Sequence, residues 1–306
     1  MSQEPIKRPE LKPGNWPGWL AVAVLWLLGK TPQWLAVALS GPLGKLMSAL
    51  MKSRRRIAER NVERCFPQLD AEDRQAIVDG CFRSLGRTLF EITWAWSASD
   101  RRIRNMGELV GREHLESAKA VGKGVLLITG HITCLEMGPR IIGLEIPGCR
   151  GIYRPLKNLP IEWYQNTRRL RYTDGGIKKN DLRTAIRFLR QGGMLWYAPD
   201  QDFGPNQTVF APFFGIPTAT LEATVKLVKL TGCTVVPMFP RYDEARRRYT
   251  VEFQPALTDF PTGDMVADLG RINMLTETQV RRTPEQYWWI HRRFKTRPPG
   301  EAPFYD

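Results

Sequence analysis

Residues 124–136 read GVLLITGHITCLE and hold the residue types best suited to chemistry. A short apolar run closes on Gly130, His131 follows at once, and Glu136 stands five residues further on. The chain has only three histidines, His114, His131 and His291, so one placed at a strand-to-helix turn stands out. With His131 in the turn and Glu136 in the opening turns of the next helix, the carboxylate can reach back to the imidazole. It would fix the ring tautomer, and the free ring nitrogen would take a proton from an alcohol. A histidine capping a helix beside a solvent-facing glutamate gives the same spacing, which is short and common by chance.

Three further segments fall where strand ends are expected. In GIYRP at 151–155 a strand runs into Arg154, and Arg168, Arg169 and Arg171 follow on a helix or its end. Planar guanidinium forks suit phosphate because they make two parallel bonds, although a solvated basic face has the same composition. WYAPDQDFGP at 196–205 ends a strand in Asp200 and Asp202 before a Gly-Pro turn. Two acids there can bind a metal, balance the arginines or start a turn, and without further ligands the metal is the weakest of these. FAPFFGIPT at 210–218 reads as an aromatic loop before a helix, lining an acyl channel or packing on the core.

These segments need a scaffold. Residues 70–96 predict a long helix, with an acidic first turn and Ile77, Cys81, Leu85, Leu89 and Ile92 at helical spacing. A polar bridge leads from it to a strand at 124–129, and strand-like runs recur at 151–154, 194–198, 234–239 and 249–253. Helical patterns occupy 134–144, 160–172, 181–191 and 217–231. Alternation of this kind predicts an α/β fold, a mixed central sheet covered by helices, with ligands at the carboxyl ends of its strands. No repeat or long linker divides the chain, and residues 297–303 read as a proline-rich tail.

Composition narrows the partners. The 306 residues, 42% hydrophobic, suffice for a full core, and a net charge of +14 attracts polyanions: nucleic acid, anionic headgroups, phosphorylated glycolipids or an acidic carrier. Ten tryptophans, several beside basic residues near the amino end, suit a membrane interface. Five cysteines, odd in number and without a C-x-x-C pair, read as reduced thiols with no structural zinc. No nucleic-acid-binding motif accompanies the basic residues, so no nucleic-acid partner is expected.

Residues 16–51 carry only Lys30 and Lys45 as charges. Gly29-Lys30-Thr31-Pro32 and Gly41-Pro42 interrupt the apolar runs, which fall short of the roughly 18–20 residues of a clean span. A single helix over 17–39 would still cross a bilayer; a shallow or re-entrant anchor is the alternative, and a cleaved signal peptide ending near Ala36-Val37-Ala38 is a third reading. The basic flank of Lys52, Arg54, Arg55, Arg56 and Arg60 outweighs Lys7, Arg8 and Lys12, which keeps the carboxy-terminal part cytoplasmic and offers contacts to anionic headgroups. The expected division is a tail and anchor at 1–50 and a catalytic domain at 51–306.

Taken together, the blocks resemble the late acyltransferases of lipid A biosynthesis, most closely the lauroyl-transferring members that act on Kdo-bearing lipid IVA. The resemblance is carried by RN at 60–61 through CFP at 65–67, the H-x4-E turn, YRP at 153–155, RLR at 169–171, WYAPD at 196–200 with Asp202 and Gly204-Pro205, VPMFPR at 236–241, and PEQYWWIHRRFKTRP at 284–298. It runs from about residue 15 to the end. It implies a glycerolipid-acyltransferase-like fold with an amino-terminal membrane anchor helix, an inner-membrane position facing the cytoplasm, acyl carrier protein as donor, and no cofactor. It also implies attack of a hydroxyl on a primary acyl chain of a phosphorylated glycolipid, giving an acyloxyacyl group. His131 and Glu136 would be catalytic; Arg154, Arg169 and Arg171 would hold the acceptor phosphates, with Asp200 and Asp202 positioning those arginines. Cys134 is assigned to packing, and His114 and His291 are left outside the chemistry, the latter in a Trp/Arg-rich block suited to headgroups. Transfer of myristoyl or another chain, or a different glycolipid acceptor, is the alternative within the superfamily; a basic membrane-associated binding protein is the alternative outside it.

Overall fold

The structure, a computed structural model, describes residues 6–305. Three helices open it: α1 (Trp16–Leu28), α2 (Gln33–Leu50) and α3 (Lys52–Cys65). Then come α4 (Ala71–Ser97), α5 (Asp100–Met106), β1 (Gly107–Val110), α6 (Arg112–Ala120), β2 (Val125–Ile128), α7 (Met137–Ile142), β3 (Cys149–Tyr153) and α8 (Leu159–Arg169). The remainder is β4 (Gly176–Lys178), α9 (Leu182–Arg190), β5 (Met194–Tyr197), β6 (Thr208–Phe213), β7 (Ile216–Leu221), α10 (Ala223–Thr231), β8 (Thr234–Asp243), β9 (Arg248–Phe253) and α11 (Met265–Arg282).

Seven strands form one mixed sheet in the order β1-β9-β8-β2-β5-β3-β4. Every pairing is parallel except β8 with β9, whose hairpin turns β9 and its neighbour β1 against the rest. The apolar run of β2 follows from its central place. Val125 and Leu127 join the cluster that includes Trp94 and Trp289, whereas Leu126 and Ile128 join Leu189, Leu227 and Ile272 on the opposite face. A parallel strand buried on both faces has no polar side to alternate with.

The long helix predicted at 70–96 is α4, and Asp70 caps it by accepting the Asp73 N–H at 2.8 Å. The stretch read as a polar bridge holds α5, β1 and α6. The aromatic loop at 210–218 is instead the β6–β7 hairpin, whose tip residues Phe214 and Gly215 both have positive φ, 53° and 73°. Two left-handed residues in succession are what a two-residue hairpin turn requires.

The single helix expected over 17–39 is not formed. The Gly29–Pro32 interruption ends α1 and α2 restarts at Gln33, because a proline disfavours helical geometry in the residue before it. Among the described residues no single helix is long and apolar enough to cross a membrane; only α2 with α3 passes on length and composition together, and that pair is bent by 101°. The basic flank is also partly engaged: Arg55 pairs with Glu59 and Asp79, and Arg54 donates to the Ile290 carbonyl. α2 buries Ala36, Ser40, Gly44 and Ser48, one residue per turn, against α4. A Cβ on Gly44 would stand 2.6 Å from the Phe82 carbonyl oxygen, so the two backbones touch there. The other side of these helices leaves Trp16, Leu20, Leu27, Trp34, Leu39, Leu46 and Leu50 exposed.

Candidate active site

β2 and β5 lie side by side in parallel with Ile128 level with Tyr197. Each strand runs on three residues past that pair, to His131 and to Asp200, so the two side chains leave the sheet at the same height. His131 Nδ1 lies 2.5 Å from Asp200 Oδ1, and Asp200 Oδ2 accepts the His131 backbone N–H at 2.8 Å. Gly130 makes room for this, since a Cβ there would meet the Thr276 methyl at 2.7 Å.

Burial works to raise the Asp200 pKa, but the adjacent imidazole and the bonds from His131 outweigh it and bring the carboxyl down to about 2. Asp200 is therefore a carboxylate under ordinary conditions and accepts at both oxygens. Nδ1 of a neutral His131 must then carry the proton, which leaves Nε2 as the acceptor. The His131 side chain is 26% exposed against 3% for Asp200, so the imidazole can be reached from outside while its partner cannot.

Glu136 does not orient His131. Its carboxylate accepts both Nε and Nη2 of Arg169, at 2.8 and 2.6 Å, together with Trp96 Nε1 at 2.8 Å and the Tyr172 hydroxyl at 3.2 Å. The reason is geometric: residues 133–136 form turns, and α7 starts only at Met137, which directs Glu136 towards α4 and α8 instead of back to the imidazole. Burial opposes ionisation, but the Arg169 guanidinium beside it keeps the Glu136 carboxyl below its ordinary range. The fork of Arg169 is thus committed to Glu136. Removing one member of this half-buried pair leaves the other's charge only partly solvated, so Glu136→Ala should lose about 2–3 kcal/mol of stability. Thermal unfolding checks this, and an unchanged midpoint would show that the four-donor arrangement carries no stability.

Asp202 does not hold arginines either. Its carboxylate accepts the Thr296 N–H and hydroxyl at 2.6 and 2.9 Å and the Gly204 N–H at 2.8 Å. Its own N–H donates to His291 Nε2 at 3.1 Å. These contacts belong to a carboxy-terminal strap, the Trp/Arg-rich block whose composition suits headgroups. The strap pairs with the catalytic turn itself: Trp288 N–H donates to the His131 carbonyl at 3.0 Å, Thr133 N–H to the Gln286 carbonyl at 2.7 Å, and Ile132 bridges to Tyr287. Arg293, within the strap, is buried and donates to the Ala219 carbonyl at 2.7 Å.

Burial pushes the His291 imidazole down to about 4 from an ordinary 6.5. The unfolded chain takes up that proton below about pH 6.5 while the folded chain resists until about pH 4. His291 therefore contributes stability that is complete above 6.5 and is lost as pH falls towards 4. The melting temperature of wild type should fall more steeply between pH 7 and 4.5 than that of His291→Gln, whose amide oxygen can still accept the Asp202 N–H. Superimposable slopes would remove His291 from this role.

Arg154 follows the end of β3 and Arg171 follows α8 by two residues; both are exposed. Cys134 is fully buried, and burial raises its thiol well above the ordinary range, which leaves no thiolate for an acyl-enzyme. Among the described residues no three His, Cys, Asp or Glu side chains are grouped to hold a metal ion. The arrangement as a whole is a partly exposed imidazole with its Nδ1 proton fixed by a buried carboxylate, suited to drawing a proton from a hydroxyl.

A family model described as bacterial lipid A biosynthesis acyltransferase matches residues 5–296. A lipid A biosynthesis lauroyltransferase of Escherichia coli (strain K12) is 38% identical over 291 residues, 95% of each chain. A palmitoleoyltransferase of the same organism is 36% identical over 98% of each chain, and a myristoyltransferase 30% identical over 94% of this chain and 90% of that one. A solved 1-acyl-sn-glycerophosphate acyltransferase from Thermotoga maritima overlays with a TM-score of 0.39 at 14% identity, over 81% of this chain and 97% of that one. A likeness that loose does not place the chain in its fold family.

Proposed function

The chain belongs to the bacterial lipid A biosynthesis acyltransferase family and is an acyltransferase; we propose that it moves a lauroyl chain from acyl carrier protein to a hydroxyl of a primary acyl chain on lipid IVA, with or without Kdo. The observation that carries the mechanism is the His131–Asp200 pair. Nε2 of His131 takes the proton of the acceptor hydroxyl as its oxygen attacks the thioester carbonyl. The C–S bond then breaks, the imidazolium returns the proton to the departing thiolate, and an ester and a free carrier thiol result. Asp200 holds the Nδ1 proton and offsets the imidazolium charge as it forms. Glu136 and Arg169 support the turn from behind. Arg154, exposed just past the end of β3, and Arg171, exposed two residues past α8, take the acceptor phosphates.

Chain length is the open choice, since the lauroyl and palmitoleoyl relatives stand at 38% and 36% identity. Purified protein offered an equimolar mixture of carrier-bound lauroyl, myristoyl and palmitoleoyl groups should add chiefly lauroyl to the glycolipid, read by product mass. Predominance of either other chain moves the assignment to that chain, and no acylated glycolipid at all defeats the function.

The protein acts at the cytoplasmic face of the inner membrane, held by the exposed apolar side of α1 and α2 lying in the interface, with Lys30, Lys45 and Lys52 beside it. Deleting these helices would uncover α4, so substitution is the cleaner test. A buried leucine contributes roughly 1.5–3 kcal/mol, so the pair Leu20→Glu and Leu27→Glu should weaken binding to anionic vesicles by about a hundredfold or more. Unchanged partitioning would mean that α1 does not enter the lipid.

A further inference from the structure

α3, the start of α4 and the carboxy-terminal strap enclose a groove of about 490 Å³, away from the His131–Asp200 pair in its lining residues but joined to it through the strap. Four arginines line it, Arg56, Arg60, Arg74 and Arg292, against two glutamates, Glu59 and Glu63. Both glutamates already have cationic partners, Glu59 with Arg55 at 2.9 Å and Glu63 with Arg60 at 3.6 Å. Among the described residues Arg56 and Arg74 have no ion-pair partner, and Arg292 lies over the Tyr305 ring at 5.9 Å. The groove thus keeps an uncompensated positive charge facing solvent.

We propose that this groove docks an acidic face of the protein that carries the acyl thioester; the proposal rests on the donor assignment made above. Three observations favour that occupant. The charge is complementary to an acidic partner, and the two glutamates among the four arginines select orientation as well as attraction. No large apolar side chain is exposed between Leu50 and Leu89, so this surface lacks the apolar insertion that the α1–α2 face offers to lipid. The groove is also bolted to the catalytic turn. Asn61 Nδ2 donates to the Trp289 and His291 carbonyls at 2.7 and 2.9 Å, Arg292 follows His291 directly, and Trp288 N–H holds the His131 carbonyl. A carrier seated here therefore rests against the segment that positions His131.

The test uses the full chain with two donors, the carrier-bound acyl group and the same acyl group on free pantetheine. Arg56→Glu and Arg292→Glu, singly and together, should raise KM for the carrier-bound donor about tenfold or more while leaving the pantetheine donor and vesicle binding unchanged. The KM difference between wild type and variant should shrink in high salt, as screened charges require. If charge reversal unfolds the protein, Arg56→Gln with Arg292→Gln should give the same selectivity at smaller size. An unchanged carrier KM overturns the docking site, as do equal losses with both donors. Loss of vesicle binding with the donor ratio preserved would instead make the groove a headgroup site. Wild type that uses pantetheine thioester but never the carrier defeats the donor assignment itself, and the docking site with it.

Discussion

The His131→Ala variant is expected to lose about 10²–10⁴-fold in transfer rate per folded molecule. An alcohol is a weak nucleophile near neutral pH, and removal of its proton must accompany attack. His131 is the partly exposed imidazole at the strand ends, with Nδ1 held 2.5 Å from a carboxylate and Nε2 left to accept. The loss should fall on kcat with little change in KM for either substrate, because the imidazole acts in the transition state rather than in ground-state binding. Measured with protein of matched folded fraction, retention of more than about half the wild-type turnover would exclude base catalysis by this residue.

A second large effect is expected at Asp200. Asp200→Asn keeps the volume and one oxygen for the His131 N–H, so the turn should survive. The amide, however, no longer demands a proton on Nδ1 and can itself donate to it, which places the imidazole proton on Nε2. A base in the wrong tautomer cannot accept, and in the Ser-His-Asp triad of serine proteases, which shares this geometry, the same exchange costs about 10⁴ in kcat. A loss of about 10³–10⁴ is expected here. Glu136→Gln should behave differently: its kcat, corrected for folded protein, should drop far less than that of Asp200→Asn, with the damage appearing in thermal stability. If Glu136→Gln proves the more damaging to kcat, the Glu136–Arg169 pair is part of the chemistry and Asp200 is not the orienter.

The contrast between those two carboxylates shows what is legible in the sequence. The strands at 124–129 and 194–198 are readable because buried strands leave continuous apolar runs, that at 249–253 because Tyr249, Val251 and Phe253 alternate with polar residues, and α4 because its apolar residues keep helical spacing. The hairpin at 208–221 is not, because Phe214 sits at positive φ, where glycine or asparagine is the usual signal, and Pro212 and Pro217 break the alternation. α11 escapes as well; its buried positions include Asp268, Asn273, Thr276 and Gln279, which dilute the apolar stripe. At the site, His131 is visible as a scarce residue after a strand, but spacing points to a partner five residues away when the partner lies 69 away. The usable signal is the equal offset of His131 and Asp200 from two apolar runs, and it becomes meaningful only once β2 and β5 are known to be neighbours. The same holds for the strap: its Trp and Arg content suggests a membrane surface, whereas its backbone is tied to the catalytic turn.

The central claim is that Asp200 fixes the proton on His131 Nδ1 and frees Nε2. With only three histidines in the chain, protein labelled with ¹⁵N-histidine gives a spectrum simple enough to assign by single substitutions. Long-range ¹⁵N–¹H correlation at neutral pH reads each ring's tautomer directly. His131 is expected to be protonated at Nδ1 and bare at Nε2 in wild type and in Glu136→Gln, and to lose that pattern in Asp200→Asn. A His131 ring protonated at Nε2 in wild type, or one that Asp200→Asn leaves unchanged, would contradict the account.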